Sequence, residues 1–348
     1  KKDKEIVLAA VKTNSIWLYD NFPYWMTRKV SNRSLEFADD SLKKDKEVVL
    51  AAVKIEGEAI EFADASLKKH KEVVLEALKT YESAIKFADD NLKKDKKFVL
   101  ELVKSNGSIL KSTDESLKKD KEIVLAAVEN SGYALEFADY TLKKDKEVVL
   151  IACKNSFGRA LEFADNHFKK DKEFILTLVK SHGSTLEFAD ENLKKDKEVV
   201  LAAVENNGSA LQFADDILKK DKEIVLAAVK GQGFGLEFAD DSLKKDKEIV
   251  LAYIKDNGLA LQYADESFKK DKEIVLTALK NSSGTALKFA DDILKKDKEL
   301  VLTAVNSLKS FSEDDLTKYD IEDILSVLDN SLKNDSDILK IINDKKNT

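Results

Sequence analysis

One segment returns almost unchanged every 25 or 26 residues, and no other property of the chain narrows its fold so far. In the string Lys-Lys-Asp-Lys-Glu the aspartate falls at Asp3, Asp45, Asp95, Asp120, Asp145, Asp171, Asp196, Asp221, Asp246, Asp271 and Asp297, and His70 fills the one missing slot. A period of this size marks a repeat array, in which one unit cannot bury its apolar side alone and must lean on its neighbours. Hydrophobic residues make up 43% of the chain, enough for a continuous core. Charged residues make up 36%, with both signs mixed and a net charge of −7. That balance lacks the basic excess of a nucleic-acid binder, so no nucleic-acid partner is expected. No apolar run approaches the roughly 18 residues of a membrane span.

The copy from Asp45 to Lys69 shows how a unit is built. Asp45 suits a helix N-cap, and Glu47 suits the positive end of the helix dipole. The run Val48-Val49-Leu50-Ala51-Ala52-Val53 follows. Alanine favours helix over strand, and Lys54 lies where a cation suits the last turn. Gly57 then reads as the left-handed C′ residue, with counterparts from Gly107 to Gly284. Ala59, Ile60, Phe62, Ala63 and Leu67 space as one stripe of a second helix. The expected fold is therefore an all-α solenoid of about twelve stacked αα-hairpins. A ladder of rings, Phe62, Phe87, Phe137, Phe163, Phe188, Phe213, Phe238, Tyr263 and Phe289 among them, is expected in its core. Each buried ring would contribute on the order of 2–3 kcal/mol.

Departures from the period mark the boundaries. Asp145 to Asp171 and Asp271 to Asp297 are 26 residues apart, and both extra residues fall just before a glycine, Gly158 and Gly284. Insertions are tolerated in turns, not in packed helices. The first interval is 42 residues, 17 more than the period (42 − 25). The expected organisation is a partial first repeat at 1–13, an aromatic insertion at 14–33, regular repeats at 34–306 and a C-terminal capping element with a degenerate repeat at 307–348. The chain opens on Lys1 inside a repeat, so residues upstream, with any targeting information they carry, are expected.

The units resemble the tandem repeats grouped as the domain of unknown function 4116. The resemblance rests on Ala210-Leu211-Gln212-Phe213-Ala214, Leu218-Lys219-Lys220-Asp221, Glu223-Ile224-Val225-Leu226-Ala227-Ala228-Val229 and the Asn207-Gly208 that closes the preceding unit. It implies repeats but no chemistry, since that family has no assigned activity. Its association with intracellular bacteria, secreted effectors included, implies a second role: an effector-type solenoid that binds a host protein.

The residues themselves point away from catalysis. Every carboxylate recurs copy after copy, whereas a catalytic pair needs one distinctive pocket that splits two pKa values. His70, His167 and His182 sit in turn slots without the spacing of metal ligands. Gly231-Gln232-Gly233-Phe234-Gly235 lacks the Lys-Ser/Thr and the preceding strand of a phosphate loop. Cys153 stands in a slot filled elsewhere by Val53, Val128 and Val229, as a small buried hydrophobe. A lone reduced thiol suits an intracellular setting. No catalytic residue, cofactor, metal or small-molecule substrate is expected.

What remains is surface. The lysines around each capping aspartate form one series, and Asp64, Asp89, Asp114 and their counterparts form another, which stacking would turn into a basic and an acidic stripe. Copies differ mainly just before the glycine, in small polar changes, which favours a spacer or lattice component over a selective peptide reader. The insertion gathers Trp17, Tyr19, Phe22, Tyr24 and Trp25, residue types that dominate interface hot spots. These five are the candidate partner contacts. The expected function is a non-catalytic scaffold or structural subunit whose partners are other proteins, copies of itself among them.

Overall fold

The computed structural model describes residues 3–13, 33–231, 235–308, 322 and 324–346. Among the described residues there are helices and turns and no strand, and the fold is an all-α solenoid with a 25-residue repeat. The chain divides into two compact units, Lys1–Asp165 and Asn166–Thr348. Both are built from the same element.

Asp196 shows how a copy begins. Its backbone is extended, and its Oδ1 accepts from the Glu198 and Val199 amides at 3.1 and 3.2 Å. Two orphan N–H groups are thereby satisfied, and the helix Lys197–Asn206 starts. Val199, Val200, Ala203 and Val204 turn inward and are buried, whereas Lys197, Glu198 and Glu205 stay in solvent. At about 1.5–3 kcal/mol for each fully buried valine, this face outweighs the helix's weak intrinsic stability at ten residues. Asn207 ends the helix in an extended conformation, and its N–H donates to Ala203 O at 2.9 Å.

The second arm of the hairpin is not an α-helix. Gly57–Phe62, Gly107–Ser112 and Gly208–Phe213 are six-residue 3₁₀ helices, and counterparts such as Arg159–Glu162 and Thr285–Phe289 are shorter 3₁₀ helices. Their flanking bonds close at i−3, as in Ala59 N–H to Glu56 O and Ala63 N–H to Ile60 O at 3.0 and 3.2 Å. In so short a segment, closing at i−3 satisfies one more N–H than closing at i−4. Three residues per turn also align Gly57, Ile60 and Ala63 in one row, and all three are buried. A sequence stripe of apolar residues at i and i+3 fits either helix, so the residues alone did not separate them.

That tighter winding displaces the rings. Phe62, Phe137 and Phe213 are half-buried, and Phe37 is 63% exposed. The core is instead carried by the fully buried Ile60, Leu135 and Leu211 of these 3₁₀ segments, the straps of the solenoid, and by the valines and isoleucines of the long helices. The rings lie on the flank, where Lys111 Nζ stands 5.4 Å from the centre of Phe137 one copy on. The expected ring ladder is thus a flank feature.

The glycines are corrected too. Among the described glycines only Gly158 and Gly284 have positive φ, at 86° and 83°, and both belong to the 26-residue copies. There the extra residues Phe157 and Ser283 are also left-handed, and Gly158 N–H reaches back to Cys153 O at 2.8 Å, the long closing bond of a Schellman turn. In the 25-residue copies glycine answers a different demand. A Cβ on Gly107 would lie 2.2 Å from the carbonyl oxygen of Ala127, in the next long helix. The residue is small because its neighbour's backbone is there.

Candidate functional site

Trp17, Tyr19, Phe22, Tyr24 and Trp25 lie outside the described residues. The charged series are described, and each lysine of the repeated string has its own task. The third lysine crosses to the next copy. Lys197 Nζ lies 2.7 Å from Asp221 and 2.8 Å from Glu223, and Lys222 repeats this with Asp246 and Glu248 at 2.8 Å each. The second lysine also crosses: Lys195 reaches Asp215, and Lys220 reaches Asp240, at 3.7 Å. The first folds back locally, as Lys194 does onto Glu191 at 2.8 Å. The aspartates of the second series cap the short turn after the strap, as Asp64 does by accepting from Ser66 N–H and Oγ at 2.9 and 2.7 Å. The two stripes therefore pair with each other along the stack.

Electrostatics follow from that pairing. Lys197 holds the Asp221 carboxyl below its ordinary 3.8, against a desolvation cost and with help from the Ile224 and Glu223 amides. Asp221 and Glu223 in turn raise Lys197 above its ordinary 10.5. His70 is the exception: the helix Lys71–Leu78 has no side-chain cap, and Lys46 is left with Glu72 alone.

Backbone and amides stitch the copies as well. Asp64 N–H donates to Lys43 O at 3.0 Å, Asp139 N–H to Lys118 O at 3.0 Å and Asp215 N–H to Lys194 O at 3.0 Å. At the other end of the long helix an asparagine bridges two copies. Asn206 Nδ2 donates to the orphan carbonyls of Lys180 and Ser181 at 3.1 and 3.4 Å, and its Oδ1 accepts the Gly183 N–H at 2.7 Å. Asn130 does the same for Lys104, Ser105 and Gly107. Sequence reasoning missed these bridges, although asparagine recurs just before the turn at Asn130, Asn155, Asn206 and Asn281.

The ladder also spans the irregular ends. Lys4 reaches Asp45 and Glu47 at 2.7 and 2.8 Å, so the helix Lys4–Thr13 packs on Lys46–Ile55 as one copy on the next. Lys298 reaches Asp335 and Asp337 at 2.8 and 2.7 Å, and Ser336–Lys346 packs on Lys298–Ser307.

The reactive groups are few. Cys153 is fully buried, and burial pushes its thiol up to about 12, far from the thiolate a nucleophile needs. His167 stacks on Phe168 with ring centres 3.9 Å apart, and His182 is half-buried beside Gly183. Among the described residues no group of three or more His, Cys, Asp or Glu is placed to hold a metal ion. No described helix is long and apolar enough to cross a membrane.

Comparison with curated proteins finds no match. The profile of the domain of unknown function DUF4116 matches in overlapping stretches, 29–68, 70–118, 120–169, 145–194, 171–219, 196–244, 221–269, 246–283 and 271–313. Those stretches tile the chain in about nine tandem repeats and cover most of its length. The chain belongs to the DUF4116 family.

Proposed function

We propose that this chain is a non-catalytic repeat scaffold, a structural subunit that makes protein–protein contacts within a larger assembly. The observation that carries the reading is the way each copy uses its polar groups. Lys197 and Lys195, the Asp215 amide and Asn206 are all engaged with an adjacent copy, and the same contacts recur along each unit. Chemistry in an enzyme is concentrated in one place, where burial and charge set one or two groups apart. Here the perturbed aspartates and lysines form a series of equals, as suits a surface of fixed spacing.

The test is native purification. A scaffold migrates in a particle larger than the chain itself. Replacing both Trp17 and Trp25 by alanine should abolish co-purification while leaving the melting temperature unchanged. A free particle of single-chain mass, with no associated component, overturns the reading. A fall in melting temperature in the double variant would assign the tryptophans to the fold instead.

A further inference from the structure

The second unit carries an apolar row that its own packing covers only in part. Five residues after each capping aspartate stands a leucine, in every copy from Leu8 to Leu302. The buried slot two residues earlier is far less strict, holding Phe174, Val199, Ile224 and Leu300 in different copies. A core position that accepts four side chains beside a surface position that accepts one reverses the usual order. In the second unit Leu176, Leu201, Leu226, Leu251, Leu276 and Leu302 are only half-buried. Beside Leu201 and Leu226 the surface sinks into a groove of about 610 Å³, also lined by Ala227 and Gly231 and by the charged Glu205, Lys222, Glu223 and Lys230.

The charges flanking this row have opposite signs. Consecutive long helices lie side by side with their N-termini together, because Lys172 reaches Asp196 and Lys197 reaches Asp221 at 2.8 and 2.7 Å. At that edge Lys194, Lys195 and Lys197 face Glu191, Asp215, Asp221 and Glu223, which leaves one negative charge in this copy (+3 − 4 = −1). At the C-terminal edge Lys180, Lys230, Lys255 and Lys280 are exposed and form no ion pair among the described residues. Glu205 and Asn306 interrupt that basic edge, and Asp256 stands exposed beside Lys255. The face reads, in order, acidic edge, leucine row, basic edge.

We propose that this face binds a second copy of the chain, the two related by a twofold axis running along the leucine row. That operation sets the acidic edge of each copy over the basic edge of the other, leucine row against leucine row, with the long helices antiparallel. A twofold axis across the row would put like charges together, so charge selects the arrangement. Leucines of one copy then fill the grooves between helices of its partner, as ridges fill grooves in helix packing. The inference rests on the scaffold reading and gives it one partner.

The test is the mass of the full chain in solution, by light scattering after size exclusion and by sedimentation. Twice the single-chain mass is expected at low salt. Lys230→Glu, Lys255→Glu and Lys280→Glu together should weaken the dimer roughly tenfold or more without touching a buried residue. Leu201→Gln with Leu226→Gln should return the chain to single mass, with circular dichroism confirming the fold. A carbodiimide should join Lys255 of one copy to the carboxylates of the acidic edge of the other. A single-chain mass at the highest attainable concentration overturns the proposal, as does a dimer that survives the lysine reversals. If the isolated chain has single-chain mass but still migrates natively in a larger particle of other proteins, this inference alone has failed. Single mass in both settings removes the scaffold reading with it.

Discussion

Within each unit a long helix meets the next, at its N-terminal edge, through flexible lysines that cross solvent-exposed gaps, such as Lys197 to Asp221 at 2.7 Å and Lys247 to Asp271 at 3.4 Å. At its C-terminal edge it meets the next through backbone, with the Cβ-less Gly107 lying against the Ala127 carbonyl and Asn130 bridging the seam. One edge is held by charge at adjustable reach, the other by shape. Their histories differ accordingly. The charged edge admits His70 in place of a capping aspartate, and Lys46 still finds Glu72. The steric edge keeps its glycine even where a residue is added, as at Gly158 and Gly284. Among the described residues Glu82 holds that slot instead, exposed, after a helix that already stops at Leu78.

The sharpest way to test the contrast is Gly284→Ala. Its Cβ would fall 2.1 Å from the Ala304 carbonyl oxygen, at a φ of 83°. The overlap costs about 1–3 kcal/mol and the left-handed backbone about 1–2 kcal/mol more. Gly107→Ala carries only the overlap, about 1–3 kcal/mol. Urea midpoints should therefore rank Gly284→Ala below Gly107→Ala, and both well below the unaltered chain. Equal midpoints would mean that backbone conformation contributes nothing at the 26-residue turns.

Asn206→Ala comes next. It leaves the part-buried Gly183 N–H and two helix-end carbonyls without their bridge. One such unsatisfied group costs about 1–3 kcal/mol. Faster hydrogen exchange at the Gly183 amide would place the loss at the seam. Exchange unchanged there would show that water replaces the asparagine without cost.

These contacts also explain what could be read from residues alone. The period, the capping aspartates and the long helices were legible because each is a local pattern: Asp45 caps amides two and three residues away. The reason for Gly57 was not, because the atom that forbids a side chain belongs to Ala77, a full copy further on. The Asn206 bridge likewise spans 23 to 26 residues. The straps were misread as α-helix because Ile60 and Ala63 are three apart, a spacing common to both windings. The charged stripes were visible as series, but only the stacking register decides that lysine and aspartate meet. The candidate contacts Trp17 and Trp25 lie outside the described residues, and their role stays with the double variant.

At the charged edge the expected effects are smaller. His70→Asp should stabilise the chain by about 1 kcal/mol, by capping Lys71–Leu78 and giving Lys46 a second carboxylate. Its pH dependence has a definite sign. Asp221, Asp246 and Asp297 are held below the ordinary 3.8, each by the lysine of the preceding copy first of all. A carboxylate with a lowered folded pKa contributes in full above its ordinary value, and the contribution drains away as pH falls through the folded value. The gain from His70→Asp should be present at neutral pH and vanish in acid. A gain that persists below the aspartate range would have to come from losing the imidazole.

Lys222→Ala should be the mildest of the set. The side chain is 45% exposed, and its two partners keep other support, since Asp246 still caps Lys247–Asp256 through the Glu248 and Ile249 amides at 2.9 and 3.3 Å. Exposed pairs lose much of their Coulomb gain to solvent and to the ordering of a long side chain. The midpoint should move less than in any variant above, and the difference should fade as added salt screens the pair. A loss as large as that of Asn206→Ala, undiminished in high salt, would mean that the lysine methylenes pack as rigidly as the glycine seam. The two edges would then hold by the same means.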